Sequence, residues 1–246
     1  MISVIDVYNT VRDLANKEQR GFITPEVFNT FARVAQQNVY NEMFSEISKG
    51  KQLRRGGIDG GRDESYLKHL RTDLSSYIRE ANLENAGGDV FADEDVAILA
   101  KPDDFNRLIS MRTPDNDSIE IEYDSEKVSR LLGSLLSRPT EAFPVAFLGD
   151  DIRVYPSGVS GVVMRYYRNP RSRDLTTGDV DYFSYPSYSV NDLVDDYYVP
   201  DPIDCRDFDL PARYKGEVVN EILKMMGVRL RDPNLTGYAS QEDAAE

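Results

Sequence analysis

Residues 17–44 read KEQRGFITPEVFNTFARVAQQNVYNEMF, and they decide whether the chain opens on a calcium loop or on a helix. Gly21-Phe22-Ile23-Thr24, followed by Phe28, imitates the second half of an EF-hand loop. With Gly21 as the turn glycine, the first, third, fifth and twelfth ligand positions fall on Asn16, Glu18, Arg20 and Val27. Calcium needs several oxygen donors and a bidentate carboxylate to close the loop. Val27 has no oxygen to give, and Arg20 would put a cation inside the cage. The same residues make a good helix entry instead. Thr24 can cap, Pro25 suits the first helical position because it has no N–H to leave unpaired, and Glu26 favours the positive end of the helix dipole. Phe28, Phe31, Ala35, Val39 and Met43 then recur at steps of three and four, which predicts a long helix with one buried face. Gln36, Gln37, Asn38 and Asn41 flank that face.

Upstream, Ser3 caps a first predicted helix with Val4, Val7, Tyr8, Val11, Leu14 and Ala15 at helical spacing, so the two helices are expected to form an antiparallel hairpin. Downstream, residues 49–62 mix Lys49, Lys51, Arg54, Arg55 and Arg62 with five glycines and predict a basic loop. Tyr66, Leu67, Leu70, Leu74, Tyr77 and Ile78 predict a third helix that ends near Asn82. After the turn-rich Asn85-Ala86-Gly87-Gly88, short apolar runs alternate with Pro, Gly and Asp. Candidate strands are 96–100, 108–112, 119–123, 145–148, 152–155 and 159–167, with Gly149-Asp150 as a tight hairpin connection. A helix over 126–136, with Val128, Leu131, Leu132 and Leu135 as its apolar stripe, interrupts them. Residues 169–209 carry tyrosines, prolines and many aspartates. Pro211 then opens a last helix with Tyr214, Val218, Val219, Ile222, Leu223 and Met226 inward, and Gly227 is expected to stop it. The expected organisation is a helical region 1–88, a mainly β region 89–190, and a loop, helix and acidic tail over 191–246, together one compact unit. Strands clustered between helices, without regular alternation, predict an α+β fold with a mainly antiparallel central sheet.

The sequence offers little to build an active site from. His69 is the only histidine and Cys205 the only cysteine, so a zinc cage or an intrachain disulfide has no partners. The doublets Asp103-Asp104, Asp150-Asp151 and Asp195-Asp196 read as turn-formers and solvated charge, because neighbours on a strand point to opposite faces. Gly56 to Gly61 lack the Gly-Lys-Ser/Thr of a phosphate loop. A hydrolase with paired carboxylates would need two acids converging in a cleft, which spacing alone does not show. The expectation is a protein that is not an enzyme and binds no cofactor.

A formal charge of −14 over 246 residues disfavours general binding of duplex DNA, which needs clustered Lys and Arg. A hydrophobic content of 40% is enough for a substantial core. The opening residues do not read as a signal peptide, since Asp6 interrupts Val4, Ile5 and Val7, and no apolar run reaches membrane-spanning length. Synthesis in a reducing cytoplasm suits the single cysteine.

Three stretches carry a resemblance. Residues 15–40, ANKEQRGFITPEVFNTFARVAQQNVY, residues 143–170 with VYPSGVSGVVMRYYRNP, and residues 208–238, FDLPARYKGEVVNEILKMMGVRLRDPNLTGY, resemble ring proteins of the neck and tail in short-tailed, crAss-like bacteriophages and their marine relatives. The resemblance implies a virion structural protein, one subunit of a closed homo-oligomeric ring, twelve-fold in that group. Such a ring would connect the portal to the tail and let double-stranded DNA pass without binding it. No catalytic residues come with it. Under this reading an acidic or neutral wall faces the DNA. Arg54, Arg55 and Arg62 of the basic loop, with Tyr182, Tyr185, Tyr188, Tyr197 and Tyr198, are the candidate contacts to neighbouring subunits, because tyrosine joins a large apolar body to a polar tip. The alternative is a small acidic protein regulated by calcium or another metal at residues 16–28.

Overall fold

A computed structural model describes residues 1–17, 23–55, 64–83, 96–159, 161–174, 179–181, 184–194, 197–201 and 204–229. The fold is α+β. It divides into two compact units, one made of residues 1–73 and 170–246, the other of residues 74–169. Segments from before residue 74 and after residue 169 thus share one unit, and residues 74–169 form the other.

The inserted unit is a two-sheet β structure. Strands β1 (Ile78–Leu83), β7 (Val162–Arg168) and β3 (Phe105–Arg112) form an antiparallel sheet in the order β1-β7-β3. The second sheet runs β2-β6-β5-β4, from β2 (Ala97–Leu99), β6 (Ile152–Tyr155), β5 (Val145–Leu148) and β4 (Glu120–Glu122), and only β4–β5 is parallel. Strand β7 shows why the sheets close on each other. Val162, Met164, Tyr166 and Arg168 alternate inward while Arg165 stays outside. Met164 and Tyr166 share one core with Leu83, Met111, Ala146 and Ile152, drawn from both sheets. The predicted hairpin at Gly149 is present, with Leu148 paired to Ile152 across a three-residue turn.

The predicted third helix stops earlier than its apolar spacing implied. Helix α3 covers Glu64–Ser75, and residues that continue its pattern enter β1, where Ile78 pairs with Tyr167 and Leu83 with Val162. Tyr77 and Ile78 continue the helical spacing of Leu74, yet pairing with β7 gives the six residues Ile78 to Leu83 a ladder partner and decides the outcome. Arg168, 2% exposed, is held beside this corner. Its N–H donates to the Tyr77 carbonyl at 2.9 Å, and its guanidinium lies 4.9 Å from the Tyr77 ring centroid.

The other unit holds α1 (Val4–Lys17), α2 (Pro25–Arg55), most of α3 and the C-terminal α5 (Lys215–Arg229), with α5 packed against both α1 and α2. The first two helices meet at the edge of Tyr8 and Phe28, whose ring centroids are 5.1 Å apart. Thr24 caps α2 as expected, its hydroxyl accepting the Val27 N–H at 3.5 Å. The helix continues through Lys49, Gly50, Lys51, Arg54 and Arg55, which the sequence placed in a loop; residues 56–63 lie outside the described residues. Lys49 pairs with Glu46 one turn back, at 3.2 Å. Gly227 does not end α5, which runs on to Arg229 with Gly227 buried. A glycine inside a helix costs about 1 kcal/mol relative to alanine, a cost that a packed helix absorbs. A 3-10 turn at Ala212–Tyr214 precedes α5.

A small sheet, β12-β8-β9, from β12 (Arg206–Phe208), β8 (Ser172–Asp174) and β9 (Val180–Asp181), lies in the same unit, with a separate hairpin of β10 (Val190–Val194) and β11 (Tyr197–Pro200). Asp207 ties β12 to the start of α1: its carboxylate accepts the Val4 N–H at 2.8 Å. Among the described residues no helix is long and apolar enough to cross a membrane.

Candidate assembly surface

Helix α4 (Ser125–Gly133) lies in the inserted unit and begins on Asp124, whose side chain accepts the Glu126 N–H at 2.9 Å. Val128 packs with Val96 and Tyr155, and Leu132 lies against the same cluster. The expected helix over 126–136 is cut short because Ser134 leaves the helical region, with φ −91 and ψ 128. Leu135 and Leu136, expected inside the helix, therefore sit beyond it in a turn, where the Ser134 hydroxyl accepts the Ser137 N–H at 3.2 Å. Leu135 is 100% exposed and Leu136 is 99% exposed.

The chain next makes a narrow turn in which Thr140 and Phe143 exchange backbone hydrogen bonds at 3.3 and 2.9 Å. Phe143 ends it 80% exposed. Pro144 then accepts from the Glu120 N–H at 3.1 Å, which anchors the end of the loop to the β4–β5 pair. Tyr123, just before the α4 cap, is also exposed. Full burial of a Leu or Phe side chain is worth about 1.5–3 kcal/mol, and this unit leaves that gain unused at three positions in nine residues. Scattered surface leucines are ordinary; three large apolar residues exposed along one anchored loop make it the candidate contact surface of this unit.

The candidates named from sequence fall in different places. Arg54 and Arg55 are the last residues of α2, and Arg62 and Tyr182 lie outside the described residues. Tyr197 and Tyr198 are in β11, paired with Val194 and Leu193. Tyr188 corrects its assignment: it is 2% exposed, stacked on Tyr8 and edge-on to Phe28, so its ring belongs to the core and cannot reach a neighbour. Tyr185 is half-buried between arginines.

A strip of α2 organises this tyrosine segment. The Asn29 side chain accepts the Tyr188 N–H at 2.7 Å and donates to the Tyr188 carbonyl at 3.1 Å. Gln36, two turns on and buried, donates to the Arg171 carbonyl at 2.6 Å and accepts the Asp209 N–H at 2.9 Å. Asn29 and Gln36 each satisfy one donor and one acceptor of a backbone that has no ladder partner there. The sequence marked Gln36 only as a flank of the apolar face. No local signal shows that a single glutamine will bridge residues 171 and 209.

The titratable groups take structural positions. Asp104, read as solvated, is buried; its carboxylate accepts from the Tyr166 hydroxyl at 2.7 Å and from Arg79 at 2.7 Å. Burial raises its pKa, but the Tyr166 and Arg79 bonds outweigh that and leave it below the usual carboxylate value. Asp150 and Asp151 occupy the β5–β6 turn as expected. Burial pushes the Cys205 thiol up, so it is not poised as a thiolate. Tyr214 donates to Asp73 at 2.9 Å and accepts from Arg213 at 3.0 Å, and burial is the main reason its hydroxyl titrates far above the ordinary range.

No protein-family model and no curated protein matches this chain. Among the described residues no three His, Cys, Asp or Glu side chains are grouped to hold a metal ion. The EF-hand-like segment falls partly on residues 18–22, which lie outside the described residues.

Proposed function

We propose that this chain is a non-enzymatic structural subunit of a bacteriophage virion, assembling with copies of itself into a ring in the neck or tail that forms part of the DNA conduit. The exposure of Leu135, Leu136 and Phe143 on one anchored loop carries the assembly part of the reading. Such a surface suits a protein whose working state covers it with another chain. The resemblance at residues 15–40, 143–170 and 208–238 supplies the virion context, and the charge of −14 suits a conduit wall that phosphates do not grip. A closed ring needs heterologous contacts, so the surface offered by one subunit differs from the surface that receives it.

Native mass spectrometry of the purified chain tests this first. A closed oligomer of a single size supports the ring, and a strict monomer at every concentration sinks it. Calcium titration calorimetry on the same sample addresses the alternative, since saturable micromolar binding would favour a calcium-regulated protein. Labelling the protein in particles then asks for its place, with label at the neck or tail expected.

A further inference from the structure

Two arginines converge on Tyr185, and among the described residues neither meets a carboxylate. The Arg33 guanidinium, exposed on α2, lies 3.8 Å from the Tyr185 ring centroid. The Arg171 guanidinium lies 5.0 Å from the same centroid, and its Nη1 donates to the Tyr185 hydroxyl at 2.7 Å. Arg171 Nε is buried and has no hydrogen-bond partner. Among the described residues neither guanidinium forms an ion pair with a carboxylate.

The nearby acid does not serve them. Both oxygens of Asp209 are engaged elsewhere, one by Arg173 Nε at 2.8 Å and the other by the Arg171 backbone N–H at 3.3 Å. Gln36 holds the Arg171 carbonyl and the Asp209 N–H, so this backbone cannot easily shift to pair the guanidinium internally. Arg33 precedes Gln36 by one turn of the same helix, and the two arginines are thus positioned by one element. In a chain with 43 acidic and 29 basic residues, two neighbouring cations with no carboxylate partner among the described residues form a local exception. Guanidinium groups present planar forks that match carboxylate oxygens, and stacking on an aromatic ring leaves the fork free to donate.

We infer that the Arg33–Tyr185–Arg171 stack is a receptor for carboxylate side chains of a second copy of this chain, donated by its residues 241–246, QEDAAE. This rests on the self-assembly reading above and names one contact within it. The occupant is argued from charge. Residues 233–246 contain Glu242, Asp243 and Glu246 and no Lys or Arg, so the segment is an uninterrupted anion. Copies that each carry −14 repel one another, and a cationic receptor offsets that repulsion at the point of contact.

The test uses the full chain carrying Glu242→Gln, Asp243→Asn and Glu246→Gln, so that its own segment does not compete. A labelled peptide of residues 237–246 is titrated by fluorescence anisotropy, beside the same peptide with those three carboxylates neutralised, a short DNA duplex and inorganic phosphate. The acidic peptide is expected to bind roughly tenfold or more tighter than its neutral counterpart, about the worth of one charge-assisted bidentate pair. Arg33→Gln, at an exposed helix position, should abolish that difference with an unchanged melting temperature, and Arg171→Lys should weaken it. Equal binding of the two peptides overturns the inference, as does preference for duplex or phosphate. A ring seen for the wild-type chain together with no peptide discrimination overturns this contact and leaves the ring standing. Peptide discrimination without any ring keeps the receptor and removes the ring.

Discussion

The ring of Tyr188 lies 3.9 Å from that of Tyr8, centroid to centroid, with the planes 11° apart. This pair joins the tyrosine segment to the first helix, and Phe28 closes its edge at 5.1 Å from Tyr8. Tyr188→Ala is therefore expected to destabilise the folded chain by about 3–5 kcal/mol, the usual cost of emptying a buried aromatic site. Urea unfolding of the single variant measures it, and a loss under 1 kcal/mol would contradict the core assignment.

Gln36→Ala strips partners from the Arg171 carbonyl and the Asp209 N–H together. Leaving two buried backbone groups unpaired should cost about 2 kcal/mol or more. Gln36→Glu separates hydrogen bonding from packing: its side chain still accepts from Asp209 but cannot donate to Arg171 when ionised. Hydrogen exchange at the Asp209 amide should rise sharply in the alanine variant and less in the glutamate variant.

Asp104 predicts a contribution to acid unfolding. Its pKa in the folded state lies below the ordinary 3.8, so the unfolded chain takes up the proton first. The stability it contributes is present above about pH 4 and is lost as pH falls through the folded pKa. Asp104→Asn should lower stability at neutral pH by about 1–3 kcal/mol, since Tyr166 and Arg79 lose a charged acceptor. The difference from wild type should shrink toward pH 2, and a constant difference across that range would show that the carboxylate charge is not what matters.

Asp207 should behave in the opposite sense. Burial raises its pKa above 3.8 and the Val4 N–H only partly compensates, so the folded state holds this proton more tightly than the unfolded chain. Its contribution is fully present below about pH 4 and declines as pH rises through the folded pKa. Asp207→Asn keeps an oxygen for Val4 and removes the buried charge. At neutral pH it should be at least as stable as wild type, whereas Asp207→Ala should lose about 1–2 kcal/mol with the missing cap.

Leu135→Ser combined with Leu136→Ser removes two exposed side chains from the loop after α4. The melting temperature of the monomer is expected to stay within about a degree or two, because surface changes of this kind fall within ±0.5 kcal/mol. Self-association followed by native mass spectrometry should weaken at least tenfold. Undiminished oligomers would place the contact surface elsewhere.

Much of this architecture was legible in local patterns. The entry of α2 at Thr24-Pro25, the face made by Phe28, Ala35, Val39 and Met43, strands β5 and β6 with the Gly149 turn, and the alternation of β7 all follow from periods that depend on neighbouring residues alone. Misreadings arose where two local patterns were both satisfied. Tyr77 and Ile78 continue the helical spacing of Leu70 and Leu74, yet the chain leaves α3 after Ser75 and Ile78 joins the β7 ladder, and Leu135 continues the α4 stripe until Ser134 turns the backbone. The candidate surface was less legible still. Tyrosine content drew attention to residues 182–198, yet nothing local separates Tyr188, held in the core by Tyr8, from Tyr185, held between Arg33 and Arg171.

By itself the sequence determined the α+β class, the main helix faces and the strands β2 to β7, because capping, backbone stiffness and apolar period act over a few residues. Tertiary structure alone decided that α1 and α5, from opposite ends of the described chain, share one unit, that Gln36 bridges residues 171 and 209, and that Arg33 and Arg171 meet over one ring. Those outcomes depend on groups more than a hundred residues apart competing for the same hydrogen bonds and the same buried space, a competition that is settled only when the chain closes on itself.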